Sequence, residues 1–176
     1  MEGIVDTWVM KFSTFNPEQG WLKSPFADPI TDLYPQYLKM LSVTDDPVAL
    51  ALGKILRVCV MHRVTDIYGP IPYSQMLSND NLGENLSVPY DSQEQVYTQM
   101  LKELEEDKDL SSEAFRKLED LYYGNISKWR KFLHSMQLRI AMRMSYVNPT
   151  EAQRIAQNAV AAGVIEANED NAMLHV

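Results

Sequence analysis

Apolar side chains recur along this chain in steps of three and four, so helices are expected along its length. From Val48 to about Thr65 the sequence is apolar on most faces, interrupted by Lys54, Arg57 and Arg63. Asp46 as N-cap and Pro47 at the first helical position mark the start. A helix apolar nearly all round lies in the middle of a bundle, so this one should be the most buried. Gly69-Pro70 and Pro72 forbid its continuation. The segment from Asp66 to Tyr90, rich in Asn, Ser, Gly and Pro, reads as a long loop, and such loops are usually functional or mobile.

Asp91-Ser92-Gln93-Glu94 has the form of a capping box in which Glu94 reaches back to the Asp91 amide. The helix that follows carries Val96, Tyr97, Met100, Leu101 and Leu104 on one stripe. Lys102, Glu103, Glu105, Glu106, Asp107 and Lys108 form the other face, expected to be solvated. Residues Ser111 to Tyr123 suit a short helix ending before Gly124. Asn125 then caps a helix with Ile126, Trp129, Leu133, Met136, Ile140 and Met144 as its core stripe. Its charges are Lys128, Arg130, Lys131, Arg139 and Arg143, with no acid, so pairing with the acidic helix from Glu94 to Asp109 is expected. Pro149 opens the next helix, with Ala152, Ile155, Ala156, Ala159 and Val160 inward and Gly163 closing it. No convincing strand is present. The pattern predicts an all-α fold of helical hairpins, without the strict period of a standard tetratricopeptide array.

Composition narrows the class. At 176 residues and 45% apolar content the chain can bury a core as one domain, or one piece of a larger protein. A net charge of −8 argues against a nucleic-acid or anionic-membrane binder, since both need a basic footprint. The single cysteine, Cys59, allows no intrachain disulfide and sits in an apolar run, so an inert, buried thiol is expected. His62, His134 and His175 share no ligand spacing, and His62 reads as a hydrogen-bonded core residue. There is no Gly-rich phosphate loop, no HExxH and no nucleophile elbow. Asp45-Asp46 is a helix start, and Glu105-Glu106-Asp107 would point in different directions on a helix. No catalytic residue, metal site or cofactor is expected. The first residues lack a basic n-region, an apolar h-region and a cleavage site. The chain as written therefore reads as cytoplasmic, or as a trimmed piece of an exported protein.

Three blocks carry a family resemblance. Residues Ala51 to Ser74 run a long apolar helix into Thr65-Asp66-Ile67-Tyr68-Gly69-Pro70-Ile71-Pro72-Tyr73-Ser74, which resembles the TDxYGxIPYS turn of the SusD/RagB family. Tyr90-Asp91-Ser92-Gln93-Glu94-Gln95-Val96-Tyr97 is similar to that family's YDSQExVY helix start. Tyr123-Gly124-Asn125-Ile126-Ser127-Lys128-Trp129-Arg130-Lys131-Phe132, followed by Leu138 to Arg143, resembles its YGGDxxKWxKF and LRxAMR segments. The blocks come in the family's order and span roughly residues 48–175. Three departures are Asn125 for Asp, His134 and Met136 in place of Asn and Leu around Ser135, and Cys59 where an aromatic residue is frequent.

The resemblance implies a surface lipoprotein of the outer membrane in Bacteroidetes. Such a protein binds an oligosaccharide or a peptide and sits as a lid over a SusC-like, TonB-dependent transporter. It implies a scaffold of tetratricopeptide-like helical pairs with loops holding the ligand, anchored to the membrane only through a lipid that this chain lacks. Family members run to several hundred residues, so residues 1–176 are expected to be a single helical domain, a fragment of a larger SusD-like protein.

The residues themselves offer two readings of each motif. Tyr68 to Tyr73 is a stiff corner that either orients two helices or touches ligand. Phe15 to Phe26 reads as a loop in which Trp21 could stack on a sugar, with Asn16, Gln19 and Lys23 as polar partners; alternatively Trp21 packs the loop onto the bundle. Trp8, Tyr37 and Trp129 fit helix faces, Trp129 in the core. The alternative to a glycan-capturing protein is a helical-repeat adaptor that binds protein segments.

Overall fold

The computed structural model describes residues 19–77, 88–106, 122 and 125–172. Among the described residues six α-helices follow one another: α1 (Gln19–Asp28), α2 (Tyr34–Val43), α3 (Pro47–Tyr68), α4 (Gln93–Glu106), α5 (Ile126–Met144) and α6 (Pro149–Ala162). A π-helical turn, Pro29–Leu33, joins α1 to α2, and a short 3-10 turn, Asn168–Asp170, follows α6. Among the described residues no strand occurs, only an isolated antiparallel bridge between Ile71 and Asp91. The fold is all-α, as the periodicity predicts.

The helix starts obey the capping signals. The Asp46 carboxylate accepts from the Val48 amide at 3.0 Å. Asn125 accepts from Lys128 N at 3.3 Å and Asn148 from Glu151 N at 3.3 Å. Gly163 closes α6 at φ +98°, a backbone state that side-chain-bearing residues rarely adopt.

The central helix is α3. Val48, Ala51, Leu52, Ile55, Val58, Met61 and Val64 are all buried, with Val58 and Met61 fully shielded. α2 lies back along its first half. At Gly53 an added Cβ would stand 2.4 Å from the Met40 methyl and 3.1 Å from the Tyr37 ring, so the close approach depends on the missing side chain. Trp129, Leu133, Met136 and Ile140 bring α5 into the same core, and α6 packs on α5 through Ala152 and Ala159. Tyr122 sits edge-on to Trp129 at 5.3 Å, and its hydroxyl donates to the Asp170 carbonyl at 2.9 Å.

Several expectations need correction. Residues from Gln19 onward are helical rather than a loop, despite Pro25 inside α1. α3 continues to Tyr68, three residues past the expected end, up to the Gly69-Pro70 break that the sequence marks. Cys59 is half-buried rather than buried; it packs against the core, and burial pushes its thiol pKa up. The cations of α5 reach beyond α4: Arg143 Nε pairs with Asp66 of α3 at 2.9 Å, and Lys131 Nζ with Asp170 at 2.6 Å. Two acids of α4 pair with α3, through Lys54–Glu106 at 3.5 Å and Arg57–Glu103 at 2.6 Å, while Glu105 accepts from Gln137 of α5 at 3.4 Å. The expectations for Trp8 and for Ser111 to Tyr123 fall outside the described residues, apart from Tyr122.

Two histidines act as structural donors. His62 is buried, and its Nδ1 donates to the Cys59 carbonyl at 2.7 Å; burial holds its pKa below the ordinary imidazole value. His134 Nδ1 donates to the Gly163 carbonyl at 3.0 Å, and Ser135 Oγ accepts from Ile165 N at 2.9 Å. The departure from the family pattern at His134 thus still ties α5 to the end of α6.

Candidate functional site

The first two motifs meet in space and hold each other. Gly69 takes φ +72° and donates to the Thr65 carbonyl at 2.8 Å, turning the chain out of α3. Ile71 then exchanges backbone bonds with Asp91 at 3.3 and 2.9 Å. The Asp91 carboxylate accepts three more, from Tyr73 N at 3.1 Å, Ser74 N at 2.7 Å and Ser74 Oγ at 2.8 Å. Asp91 therefore serves the turn, not the helix. The capping box of α4 lies one residue further on: Ser92 Oγ accepts from Gln95 N at 3.3 Å, and Gln95 Oε1 accepts from Ser92 N at 2.8 Å. The S-x-x-Q spacing was present in the sequence beside the D-x-x-E one, and geometry selects it.

Behind the corner lies a buried polar cluster. Glu103 Oε2 accepts from Arg57 Nη2 at 2.6 Å and from the Tyr73 hydroxyl at 2.7 Å, while Oε1 accepts from Gln99 Nε2 at 3.0 Å. The Arg57 guanidinium lies over the rings of Tyr73 (4.7 Å) and Tyr37 (5.2 Å). Glu103 is 6% exposed, so it does not belong to the solvated face. One signal pointed there: a charge in an apolar helix, Arg57, requires a buried counter-charge. Burial works against the charge of Arg57, but Tyr73 and Glu103 more than offset it, so the guanidinium stays protonated. Burial pushes the Tyr34 hydroxyl up to about 12, with Arg57 drawing it partly back. The Tyr34 hydroxyl and Arg57 Nε have no acceptable hydrogen-bond geometry among the described residues. This cluster is closed to solvent and acts as a structural tie.

Two features face solvent. A groove of about 1240 Å³ runs between α4 and α6 over α5, with Tyr97, Leu101, Met144 and Ile155 as apolar lining and Gln137 and Arg154 as polar lining. At its rim Asp66 accepts from the Tyr97 hydroxyl and pairs with Arg143. The second feature is aromatic. Phe26 of α1 packs edge-on to Tyr68 at 5.3 Å and lies parallel to Tyr90 at 6.3 Å with 12° between ring planes.

Asn16 falls outside the described residues. Gln19, Trp21 and Lys23 stand on α1, and Lys23 is exposed. The grouping of Phe26, Tyr68 and Tyr90 was missed because its members come from three separate segments, although Phe26 ends the segment read as sugar-stacking and Tyr68 opens the corner read as a possible ligand contact.

The SusD-like family, described as Susd and RagB outer membrane lipoprotein, matches residues 4–176. The chain belongs to the SusD/RagB family. A SusD homologue from Bacteroides thetaiotaomicron is 51% identical, with TM-score 0.79 over 94% of this chain and 34% of its own. One from Bacteroides ovatus is 39% identical, with TM-score 0.77 over 92% and 34%. A chitin-binding SusD homologue from Flavobacterium johnsoniae is 33% identical, with TM-score 0.68 over 81% and 31%. No protein with a curated description matches. The chain spans about a third of the length of these SusD homologues. The family's description is of outer-membrane lipoproteins, and these homologues share the helical hairpins described above over about a third of their length.

Proposed function

We propose that this SusD-like protein captures glycans, without catalysis, as part of an outer-membrane uptake system. Its membership in the family carries the reading, supported by two structural neighbours at 32% and 33% identity that are described as chitin-binding. It stands at the cell surface on a lipid anchor and hands its ligand to a SusC-like, TonB-dependent transporter. Residues 1–176 form one helical domain of that larger protein. The arrangement of charges fits a binder. Arg57 with Glu103 and Arg143 with Asp66 are occupied by each other, and Asp91 by the turn amides. On this reading Trp21 is a stacking residue, with Asn16, Gln19 and Lys23 as polar partners.

The test is calorimetric titration with a panel of soluble oligosaccharides that includes chitohexaose, with product analysis of the same mixtures. Binding without release of new reducing ends is the expected result. Release of product would overturn the non-catalytic reading. A panel blank throughout would overturn the glycan reading and favour a helical adaptor that binds protein segments.

A further inference from the structure

Three segments distant in sequence place aromatic rings together at the C-terminal end of α3. Phe26 comes from α1, Tyr68 is the last residue of α3, and Tyr90 precedes α4. Phe26 and Tyr68 are half-buried, whereas Tyr90 is 60% exposed. The near-parallel rings of Phe26 and Tyr90 lie 6.3 Å apart, an offset arrangement that flanks Tyr90 on one side, and the edge contact of Phe26 with Tyr68 fixes it in turn.

The support under Tyr90 is stiff. Its neighbour Asp91 is held by both backbone bonds to Ile71 and by three bonds to its carboxylate. On the other side Pro89 restricts φ. A large ring on a fixed backbone loses little conformational freedom when a ligand covers it, which is the condition under which an exposed aromatic contributes most to binding. Asp91, the next residue along the chain, spends its carboxylate on the turn. Lys23 is exposed one turn before Phe26 on α1, a spacing that sets the two on one side of the helix. A flat apolar face with a donor at its edge, and no cluster of like charge, suits a neutral pyranose: C–H bonds on one face, hydroxyls around the rim.

We propose that Tyr90, backed by Phe26 and Tyr68, is a preformed stacking shelf for one pyranose ring of a neutral glycan, with Lys23 donating to a ring hydroxyl. The inference rests on the glycan-capturing reading and names a position within it.

The experiment compares the wild-type protein with Tyr90→Ala, Tyr90→Phe and Lys23→Ala by titration with chitohexaose and the rest of the oligosaccharide panel. Thermal melting is recorded for each. Tyr90→Ala should weaken the best wild-type ligand by about tenfold or more, with an unchanged melting temperature, because the side chain lies largely in solvent. Tyr90→Phe keeps the ring and should bind within about twofold of wild type, and Lys23→Ala should lose about threefold. If Tyr90→Ala binds like wild type, the shelf is overturned while glycan capture stands. If Tyr90→Phe loses as much as Tyr90→Ala, the hydroxyl rather than the ring face carries the contact and stacking is overturned. If the wild-type protein binds nothing on the panel, the glycan reading fails and the shelf with it.

Discussion

The two sides of α4 are built differently. Towards α3 the helix is tied by buried polar groups: Glu103 holds Arg57, Tyr73 and Gln99, and the Asp91 corner locks the chain just before the helix begins. Towards α6 the same helix leaves a groove, rimmed by ion pairs that water reaches, such as Arg143–Asp66 with Arg143 58% exposed. The corner residues Tyr73, Ser74 and Asp91 are invested on the closed side, whereas Asp66, Tyr97 and Arg143, motif residues too, stand at the rim of the groove. A signature in sequence therefore marks a joint here, with the surfaces that meet other molecules beside it.

The contrast predicts a graded set of losses. Glu103→Ala strands the Arg57 charge in the interior and should cost about 3–5 kcal/mol in urea denaturation. Replacing both partners, Arg57→Met with Glu103→Leu, should recover much of that loss, since no buried charge remains. A loss under about 1 kcal/mol for Glu103→Ala would remove the distinction between the two sides. Asp91→Ala unties the corner and should cost about 2 kcal/mol, from hydrogen bonds to a carboxylate. Its check is faster hydrogen exchange at the Ile71, Tyr73 and Ser74 amides, with the α5–α6 amides unaffected.

Tyr34→Phe acts in the opposite direction. It deletes a buried hydroxyl that finds no good partner, and should gain about 1 kcal/mol near neutral pH. It should also flatten the alkaline limb of the stability profile. The Tyr34 pKa is raised in the folded state, from 10 to about 12. Its contribution is therefore whole below pH 10 and is lost as pH rises from 10 towards 12. Melting temperatures of both proteins between pH 8 and 11.5 measure the difference. The smallest effect is on the open side: Arg143→Ala should cost less than about 1 kcal/mol and less still in high salt. An Arg143→Ala loss as large as that of Glu103→Ala would show the rim to be as structural as the seam.

Much of the fold was legible because its signals are local. Asp46-Pro47, Asn125, Pro149 and Gly163 mark helix ends by backbone chemistry within a few residues, and the apolar run of α3 announces its own burial. What escaped depends on partners far along the chain. Glu103 looks like one acid among several until Arg57 and Tyr73 are brought to it across 46 and 30 residues. Asp91 satisfies a capping pattern equally well with Glu94 as Ser92 does with Gln95, and only the approach of the Tyr73 and Ser74 amides decides. The basic face of α5 suggested one neighbour by net charge, whereas Arg143 and Lys131 found single carboxylates on α3 and after α6. The candidate ligand contacts were least legible, since an exposed ring has no sequence pattern and the loop assigned to Trp21 begins a helix at Gln19.

The π turn at Pro29–Leu33 sets the phase of the first hairpin. Successive residues of a helix are about 100° apart, so one residue more or less swings everything beyond it to another side. α2 must aim Tyr34 and Tyr37 at the Arg57 level of α3, while α1 must aim Phe26 at Tyr68 near its end. The wider turn lets one nearly continuous rod meet both demands. Wound as an ordinary α-helix, the same residues would rotate the two aromatic ends about 100° out of step, whereas the wider π winding absorbs the extra residue. What the turn supplies is thus a correction of phase, and its winding provides it without any buried side chain of its own.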